Sequence, residues 1–409
     1  RSIADPTSAR SQTPPTYFNV STKCDKARFS LDGLVEDRVE ARPRPGAASS
    51  GTRLKILFAV AAWGLGHATR DLPLISRLLD CGHDVTVVSS ERALALLKQE
   101  LGQRCGFLEW PDLPLTLSRS VPMFYAKFTF SLPLAFRTIV AERRALESLL
   151  DRRPFDRIIS DSRFGIRSPR VSSFHLCHGL RFIAPRRTAG LEYGMEYVYH
   201  RCFGQTSKFA VPDTETNSLS GDLSHGLRFI HRDRLTYLGI LSGIRRRPVE
   251  TDIDCYVSIS GREPQRQILE DIVLRQVYDV PGRVVVSLGK PEEAGQVRFV
   301  GRAEVRSFVN REQQQDLMNR ANLIVSRSGY TTIMELAELG KRALLIPTPG
   351  QTEQEYLADY HSLRGSYYSI VQKRLDLPRD LKTAAGYPGY QSIDRTESTI
   401  DRFIELVTN

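Results

Sequence analysis

Beyond residue 54, short apolar runs alternate with stretches in which apolar residues recur every three or four positions. Residues 55–62 form a nearly continuous apolar run, which is typical of a strand buried on both faces of a parallel sheet. Leu74 and Leu78 then mark one face of a helix, and residues 84–89 form a second apolar run. The pattern predicts that the fold opens with a β-α-β unit.

The same alternation continues along the chain and separates into two sets. The first set continues with predicted helices at residues 91–100 and 132–150 and predicted strands at 157–160 and 171–176. The second set has predicted strands at 255–260, 283–287, 323–326 and 343–346, short strands near Val297 and Val305, and predicted helices at 265–277, 314–319 and 332–339. Two such sets predict an α/β fold with two Rossmann-like, doubly wound domains that face each other across a cleft. We place these domains at residues 53–246 and 247–409.

Residues 1–52 do not follow the pattern. They are rich in Ser, Pro, Arg and Ala, and no hydrophobic period runs through them. This composition predicts a disordered extension without a role in the fold. The sequence as given starts without a basic-then-apolar leader, so we expect no secretory signal and a cytoplasmic location.

Composition and charge narrow the classes of protein. With 41% hydrophobic and 25% charged residues, the chain has the composition of a globular protein, and its net charge of +10 predicts an anionic partner. Nucleic acid, lipid headgroups and phosphorylated substrates all remain candidates, although we find no nucleic-acid-binding module. The six cysteines are scattered without a C-x-x-C pair, which argues against a disulfide framework and a zinc site.

A basic and aromatic segment at residues 119–144 contains the longest mainly apolar stretch, residues 121–140. Lys127 and Arg137 interrupt that stretch, so we do not expect a membrane-spanning helix. Aromatic and cationic residues in one segment suit a surface that touches anionic lipid. An ordinary amphipathic helix that covers the sheet is the alternative.

The loop between the first predicted strand and helix contains Gly64, Gly66 and His67. Glycines let the backbone pass close to a ligand, and the helix N-terminus behind them favours negative charge. A dinucleotide-binding loop is a weaker interpretation, because Thr69 replaces the third glycine of that fingerprint. His67 could take a proton from a hydroxyl in the cleft, or it could serve only the architecture of the loop.

Residues 326–335 (Ser-Arg-Ser-Gly-Tyr-Thr-Thr-Ile-Met-Glu) form a second strand-to-helix turn. Such a turn offers hydroxyls and free N–H groups to a diphosphate, with the positive end of the helix dipole behind it. Glu335 lies one turn into the predicted helix and could accept both hydroxyls of a ribose. Alternatively, Thr332 and Glu335 could form a capping box, since a carboxylate in the first turn suits either role.

Three further groups follow predicted strands and therefore point towards the cleft. Gln351, Glu353 and Gln354 crowd a helix start, where they could read sugar hydroxyls or simply face solvent. Asp161 could orient or deprotonate an acceptor hydroxyl, and His178 could bind it. Strand-end Asp and His residues also satisfy neighbouring backbone groups, which is the alternative for both.

Three motifs, in this order along the chain, resemble those of GT-B glycosyltransferases. They are the glycine-His loop at residues 64–67, the Ser-Arg-Ser-Gly helix start at 326–329 and the Gln-Glu-Tyr helix start at 354–356. The closest similarity is to the family-28 group, which contains the peptidoglycan N-acetylglucosamine transferases and the plant galactolipid synthases. The resemblance covers roughly residues 54–375.

This resemblance implies an enzyme that moves a hexose-type sugar, with N-acetylglucosamine among the candidates, from a UDP-sugar to an acceptor hydroxyl. The 53–246 domain would bind the acceptor and the 247–409 domain the donor, with inversion and without a metal or other cofactor. His67 or Asp161 would be the base. The acceptor and phosphate loop would involve Gly64, Gly66 and His178. The donor would contact Gly261, Arg262, Arg327, Ser328, Gly329, Thr331, Thr332, Glu335, Gln351, Glu353 and Gln354. In related enzymes the acceptor is often a lipid, which implies peripheral contact with the inner face of a membrane.

Three other functions remain open at this stage. A nucleotide-sugar epimerase or hydrolase could share the fold, with Asp161 and Glu353 as acid and base. A non-catalytic protein that binds anionic ligands would explain the charge. NAD-dependent redox chemistry is disfavoured by Thr69.

Overall fold

The computed structural model describes residues 36–37, 52–63, 65–113, 121–390 and 394–409. Gly64, Arg119 and most of the predicted extension at 1–52 lie outside the described residues. Within that extension, Glu36–Asp37 forms a short strand that pairs antiparallel with Phe107 and Leu108. This pair extends the edge of the first sheet.

The first sheet has eight strands, and all of them except β1 run parallel. They are β1 (Glu36–Asp37), β2 (Lys55–Val60), β3 (Asp84–Ser89), β4 (Gly106–Glu109), β5 (Arg157–Asp161), β6 (Ser172–Leu176), β7 (Lys208–Val211) and β8 (Leu235–Tyr237), in the order β1-β4-β3-β2-β5-β6-β7-β8. The accompanying helices are α1 (Leu65–Asp80), α2 (Glu91–Leu101), α3 (Val121–Arg152) and α4 (Ala189–Cys202). Every residue of β2 after Lys55 is buried, because helices cover both faces of the sheet.

The second sheet has seven strands in the order β11-β12-β10-β9-β13-β14-β15. They are β9 (Ile253–Ser258), β10 (Val284–Ser287), β11 (Val297–Val300), β12 (Ala303–Arg306), β13 (Ala321–Ser326), β14 (Arg342–Leu345) and β15 (Tyr368–Ser369), and only the edge strand β11 is antiparallel. Its helices are α5 (Gln265–Gln276), α6 (Arg311–Arg320), α7 (Tyr330–Leu339), α8 (Thr352–Leu363) and α9 (Leu377–Ala384). The two doubly wound domains predicted from the sequence are confirmed.

The C-terminal helix α10 (Thr396–Thr408) packs against the first sheet rather than the second. The ring of Phe403 lies 6.3 Å from that of Phe58 on β2, and Arg157 Nε on β5 donates to the carbonyl of Val407 at 2.8 Å. On the surface, Arg77 of α1 pairs with Asp401 at 3.0 Å. The chain therefore returns to the first domain after completing the second, a crossing that the prediction of a 247–409 domain did not include.

Direct contacts join the two domains along one side. Tyr330 of α7 donates through its hydroxyl to the carbonyl of Pro212 at 2.7 Å. From α8, Tyr360 and His361 donate to the carbonyls of Ser218 and Leu219, each at 3.0 Å. These buried hydrogen bonds hold the carboxyl ends of the two sets of parallel strands close to each other.

Candidate functional site

His67 and Asp161 form a hydrogen-bonded pair at the carboxyl end of the first sheet. Val60 and Asp161 are neighbours across the parallel strands β2 and β5, so the loop after β2 brings His67 of α1 onto the end of β5. His67 Nδ1 lies 2.7 Å from Asp161 Oδ2. With the ring proton assigned to Nδ1, His67 donates to the carboxylate, and Nε2 keeps a lone pair for a substrate proton.

Asp161 is fully buried, yet the structure favours its ionised form. Burial alone would raise the pKa of this carboxyl, but the charge of Arg70 and the contact with His67 outweigh burial and hold the pKa well below its usual range. Arg70 donates through one terminal nitrogen to Asp161 Oδ1. A carboxylate held in this way orients the imidazole and stabilises the imidazolium that forms when His67 takes a proton.

Arg70 is a site residue that the sequence analysis missed. It lies one turn after His67 on α1 and is almost completely buried. Its spacing of three residues from His67, which puts both on one helix face, was the available signal. Next to it, burial and the charge of Asp161 raise the pKa of Asp71 well above its usual range.

His178, predicted to bind the acceptor, connects the two domains. Its ring is stacked on Tyr330 of α7 at 4.1 Å with an interplanar angle of 11°. Nε2 lies 3.3 Å from Glu353 Oε1 at the start of α8, and Nδ1 lies 3.3 Å from a terminal nitrogen of Arg70. Glu353, predicted to contact the donor sugar, is thus bonded across the cleft to the first domain.

The N-terminus of α7 faces the start of α1, which carries Gly66 and His67. A Cβ added to Gly66 would lie 3.0 Å from Thr331 Oγ1, so a side chain at position 66 would press on the first turn of α7. Thr331 and Thr332 are half-buried in that turn, whose N-terminal N–H groups have no partners within the helix. The two predicted phosphate-binding features therefore meet within one site.

Glu335 is buried without a hydrogen bond among the described residues, with 8% of its surface exposed. Burial raises its pKa to about 7, an effect that the charge of Arg311 partly offsets. The alternative of a capping box is wrong, because α7 begins at Tyr330 with Gly329 as its N-cap and has no side-chain cap. A buried carboxylate without an internal partner is suited to accept hydroxyl groups from a ligand.

The side chain of Arg327 contacts backbone carbonyls of the protein, which differs from the phosphate contact that we predicted. Its side chain is buried and donates to the carbonyl of Gln265 at 2.9 Å, and it lies 3.3 Å from each of the carbonyls of Ile346 and Pro347. Burial lowers its pKa to about 10. Ser328 also makes a hydrogen bond within the protein, since its hydroxyl donates to the carbonyl of Gln354 at 2.8 Å. These two side chains hold the loops after β9, β13 and β14 together.

Gln354 lies beside the start of α7. Its amide oxygen accepts from the N–H of Thr348 at 2.9 Å, and a Cβ added to Gly329 would lie 3.8 Å from its amide nitrogen. The hydrogen bond from Thr348 fixes the amide group of Gln354, so that its N–H donors lie beside the start of α7. Gln351 is the half-buried N-cap residue of α8, and its side chain makes no capping hydrogen bond.

The loop after β9 reaches across to the first domain. Gly261 has φ +115°, a conformation that favours glycine, and it lets the chain turn towards the cleft. Arg262, which is exposed, donates to the carbonyl of Trp63 at 3.2 Å. Its guanidinium lies at the mouth of the cleft, close to the loop that precedes His67.

An aromatic wall beside His67 was also missed by the sequence analysis. Trp63 is perpendicular to the His67 ring at 5.9 Å and packs on Phe164 at 6.0 Å. The indole N–H donates to the carbonyl of Leu113 at 3.2 Å, which fixes the ring. In the part of the chain that the structure describes, no group of three or more His, Cys, Asp or Glu side chains could hold a metal ion.

Comparison with known structures identifies the fold as GT-B. The glycosyltransferase of kitacinnamycin superposes with a TM-score of 0.57 at 14% identity, covering 87% of this chain and 99% of that chain. The UDP-GlcNAc 2-epimerase from Neisseria meningitidis bound to UDP-GlcNAc superposes with a TM-score of 0.54 at 13% identity, covering 87% of this chain and 100% of the epimerase. The architecture is thus that of two-domain proteins that include glycosyltransferases and an epimerase.

Sequence comparison shows which glycosyltransferase families the two domains resemble. Residues 267–385 match the glycosyltransferase family 28 C-terminal domain, and residues 54–107 match glycosyl transferase family 1. A UDP-N-acetylglucosamine--N-acetylmuramyl-(pentapeptide) pyrophosphoryl-undecaprenol N-acetylglucosamine transferase from Methylobacterium sp. (strain 4-46) is 28% identical over 138 residues, which cover 31% of this chain and 37% of the relative. The chain thus spans about a third of the length of the curated relatives it matches. The predicted resemblance to family 28 is confirmed.

Proposed function

We propose that the protein is a glycosyltransferase that moves a sugar from a nucleotide diphosphate to an acceptor hydroxyl. The proposal rests on one observation. The hydrogen-bonded pair of His67 and Asp161 lies next to the N-terminus of α7, where Gly66 comes close to Thr331. The family-28 match covers residues 267–385, which include α7, and the relatives that share it are named for transfer from UDP-N-acetylglucosamine. UDP is therefore the nucleotide, and N-acetylglucosamine the sugar, that we expect first.

The reaction is a displacement at the anomeric carbon. The acceptor O–H gives its proton to His67 Nε2 while its oxygen forms a bond to the anomeric carbon from the side opposite the diphosphate. The bond between that carbon and the diphosphate oxygen breaks, and its electron pair leaves with the nucleotide diphosphate. Asp161 stabilises the imidazolium, and attack from the opposite side inverts the configuration.

The donor is held by the second domain. The N–H groups of the first turn of α7 bind the diphosphate, and the helix dipole stabilises the negative charge that develops on it. Arg262 at the mouth of the cleft supplies a further positive charge, so the proposed mechanism needs no metal ion. Glu335 accepts the two ribose hydroxyls, and the fixed amide of Gln354 binds hydroxyls of the sugar.

A donor panel tests the proposal. In thermal shift with UDP-, GDP- and TDP-sugars, we expect a UDP-sugar to stabilise the wild type and to lose most of this effect in Glu335→Ala. Glu312→Ala, which removes an exposed carboxylate from the first turn of α6, serves as the matched control and should respond like the wild type. His67→Ala should keep donor binding and lower transfer about 10²- to 10⁴-fold.

Other outcomes of the panel would lead to different conclusions. If no nucleotide sugar stabilises the wild type, the protein is not a nucleotide-sugar enzyme. If an epimer or free sugar forms without added acceptor, the epimerase or hydrolase alternative is correct. That alternative needs free carboxylates around the sugar, whereas Asp161 and Glu353 are bonded to His67, Arg70 and His178.

We also propose a lipid-linked acceptor and peripheral contact with an anionic membrane through α3. Phe130 and Phe136 are 85% and 68% exposed, with Leu134 between them and Arg137 and Arg144 on the same helix. No helix in the described part of the chain is long and apolar enough to cross a membrane. Exposed rings beside cationic side chains suit insertion at the interface between water and anionic lipid.

A further inference from the structure

Glu353 makes a contact across the cleft to the first domain. It lies in the first turn of α8, next to Gln354, and its Oε1 is 3.3 Å from His178 Nε2 at the end of β6. The carboxylate is half-buried. Burial acts to raise its pKa, but the nearby groups His178, His67 and Arg70 lower it, so Glu353 is ionised beside the first domain.

The ring of His178 is fixed by groups from both domains. With its proton on Nε2, it donates to Glu353 and accepts from Arg70 at Nδ1, so a single tautomer satisfies both contacts. Its face is stacked on Tyr330, whose own hydroxyl is bonded to the carbonyl of Pro212. The second domain therefore sets the orientation of this histidine through Tyr330 and Glu353.

Arg70 extends the connection to the pair formed by His67 and Asp161. One terminal nitrogen of its buried guanidinium faces His178, and the other donates to Asp161 Oδ1 and also lies 3.1 Å from His67 Nδ1. Since the guanidinium is planar and rigid, a change at one nitrogen moves the other. A continuous series of contacts thus runs from Glu353 through His178, Arg70 and Asp161 to His67.

We propose that Glu353 is a positioning residue for the base: it aligns His67 through His178, Arg70 and Asp161 only while the two domains are together. This inference rests on the proposed function, in which His67 takes the acceptor proton. If the domains separate, Glu353 and Tyr330 leave His178, whose ring then loses its acceptor and its stacking partner. The base is thereby aligned when the donor-binding domain is in place, and misaligned when it is not.

The test separates alignment of the base from donor binding. Glu353→Ala is compared with Glu355→Ala, because Glu355 lies on the same helix but accepts from the N–H of Gly350 in its own loop, at 2.8 Å. UDP-GlcNAc is the donor, and N-acetylmuramyl-(pentapeptide) pyrophosphoryl-undecaprenol, for which the relatives are named, is the acceptor. The kcat for UDP release is measured with both at saturation, and the Kd for UDP-GlcNAc is measured by calorimetry without acceptor. We expect Glu353→Ala to lower kcat about 10- to 100-fold, as a misplaced base does, and to change Kd by less than about threefold. Glu355→Ala should change neither quantity.

A spectroscopic measurement decides the alignment without any activity. The N–H proton that His67 shares with Asp161 gives a downfield proton NMR signal, assigned by its loss in His67→Asn. We expect Glu353→Ala to shift or broaden this signal and Glu355→Ala to leave it unchanged. If Glu353→Ala does not fold, Glu353→Asp, whose carboxylate is withdrawn by one methylene, takes its place with the same expectation.

The opposite results would overturn the proposal. An unchanged His67 signal in Glu353→Ala shows that Glu353 does not align the base. A large increase in Kd for UDP-GlcNAc but not for UDP, with kcat unchanged, shows that Glu353 reads the sugar instead. If the wild type neither binds nor turns over UDP-GlcNAc, the proposed donor is wrong, and the NMR comparison still decides the role of Glu353.

Discussion

Glu335 is a buried carboxyl whose proposed role in binding the ribose would come at the expense of stability. A carboxyl whose pKa is about 7 in the folded protein and near 4.5 when unfolded binds its proton more tightly in the folded state. Its contribution to stability is therefore fully present below pH 4.5 and is lost as the pH rises through 7. Natural proteins retain such a group where a ligand needs it.

Glu335→Gln should therefore be more stable than the wild type at pH 8 and about equally stable at pH 4. The shift of the pKa corresponds to about 3 kcal/mol at high pH, which is an upper value because the amide also loses solvation. Urea unfolding at the two pH values measures the difference. An equal effect of the substitution at both pH values would show that the carboxylate of Glu335 has no unusual pKa.

Single residues also mark how far the sequence could predict the site. Asp161, His67 and Glu335 were predicted because they follow strands or glycine loops, and the carboxyl ends of parallel strands meet at one edge. Arg70 was missed because its spacing of three residues from His67 places it on the same face of α1 but does not show whether the arginine is buried. Arg327 was predicted to bind phosphate, but its side chain satisfies backbone carbonyls of neighbouring loops, which only the tertiary structure brings together.

At the scale of elements, the central strands of both sheets were predicted, whereas strands β4, β7 and β15 were not. The β3 strand matches its predicted bounds because every residue after Asp84 is apolar or buried in the sheet. Helix α4 and strand β7 were not predicted, since Ala189–Cys202 has no sharp apolar face. Helix α7 starts two residues earlier than predicted and ends before Gly340, whose φ of +64° suits glycine.

Helix α3 is the element whose surface we expect to bind lipid. Phe130→Ser together with Phe136→Ser should weaken binding to vesicles that contain anionic phospholipid, measured by co-sedimentation. Phe299→Ser on β11, where the ring is 70% exposed in the other domain, is the matched control and should bind like the wild type. Binding by the wild type should also fall as salt is added, because salt screens Arg137 and Arg144. Equal binding of all variants would place the contact elsewhere.

At the scale of the whole molecule, α10 ties the two ends of the described chain together. Phe403 is completely buried against the first sheet. Phe403→Ala should therefore cost about 3–5 kcal/mol and lower the melting temperature, because it leaves a cavity between α10 and β2. Glu405→Ala, at an exposed position of the same helix, should stay within about 0.5 kcal/mol of the wild type. If both variants melt like the wild type, α10 does not stabilise the first domain.

The return of α10 also sets an order of assembly during synthesis. Residues 396–408 leave the ribosome after the entire second domain, yet they complete the packing around β2, which is made before that domain. The packing of the first domain is therefore incomplete until the ribosome has translated the second domain and α10. A nascent chain stalled before residue 396 should carry a folded second domain beside an incompletely packed first domain.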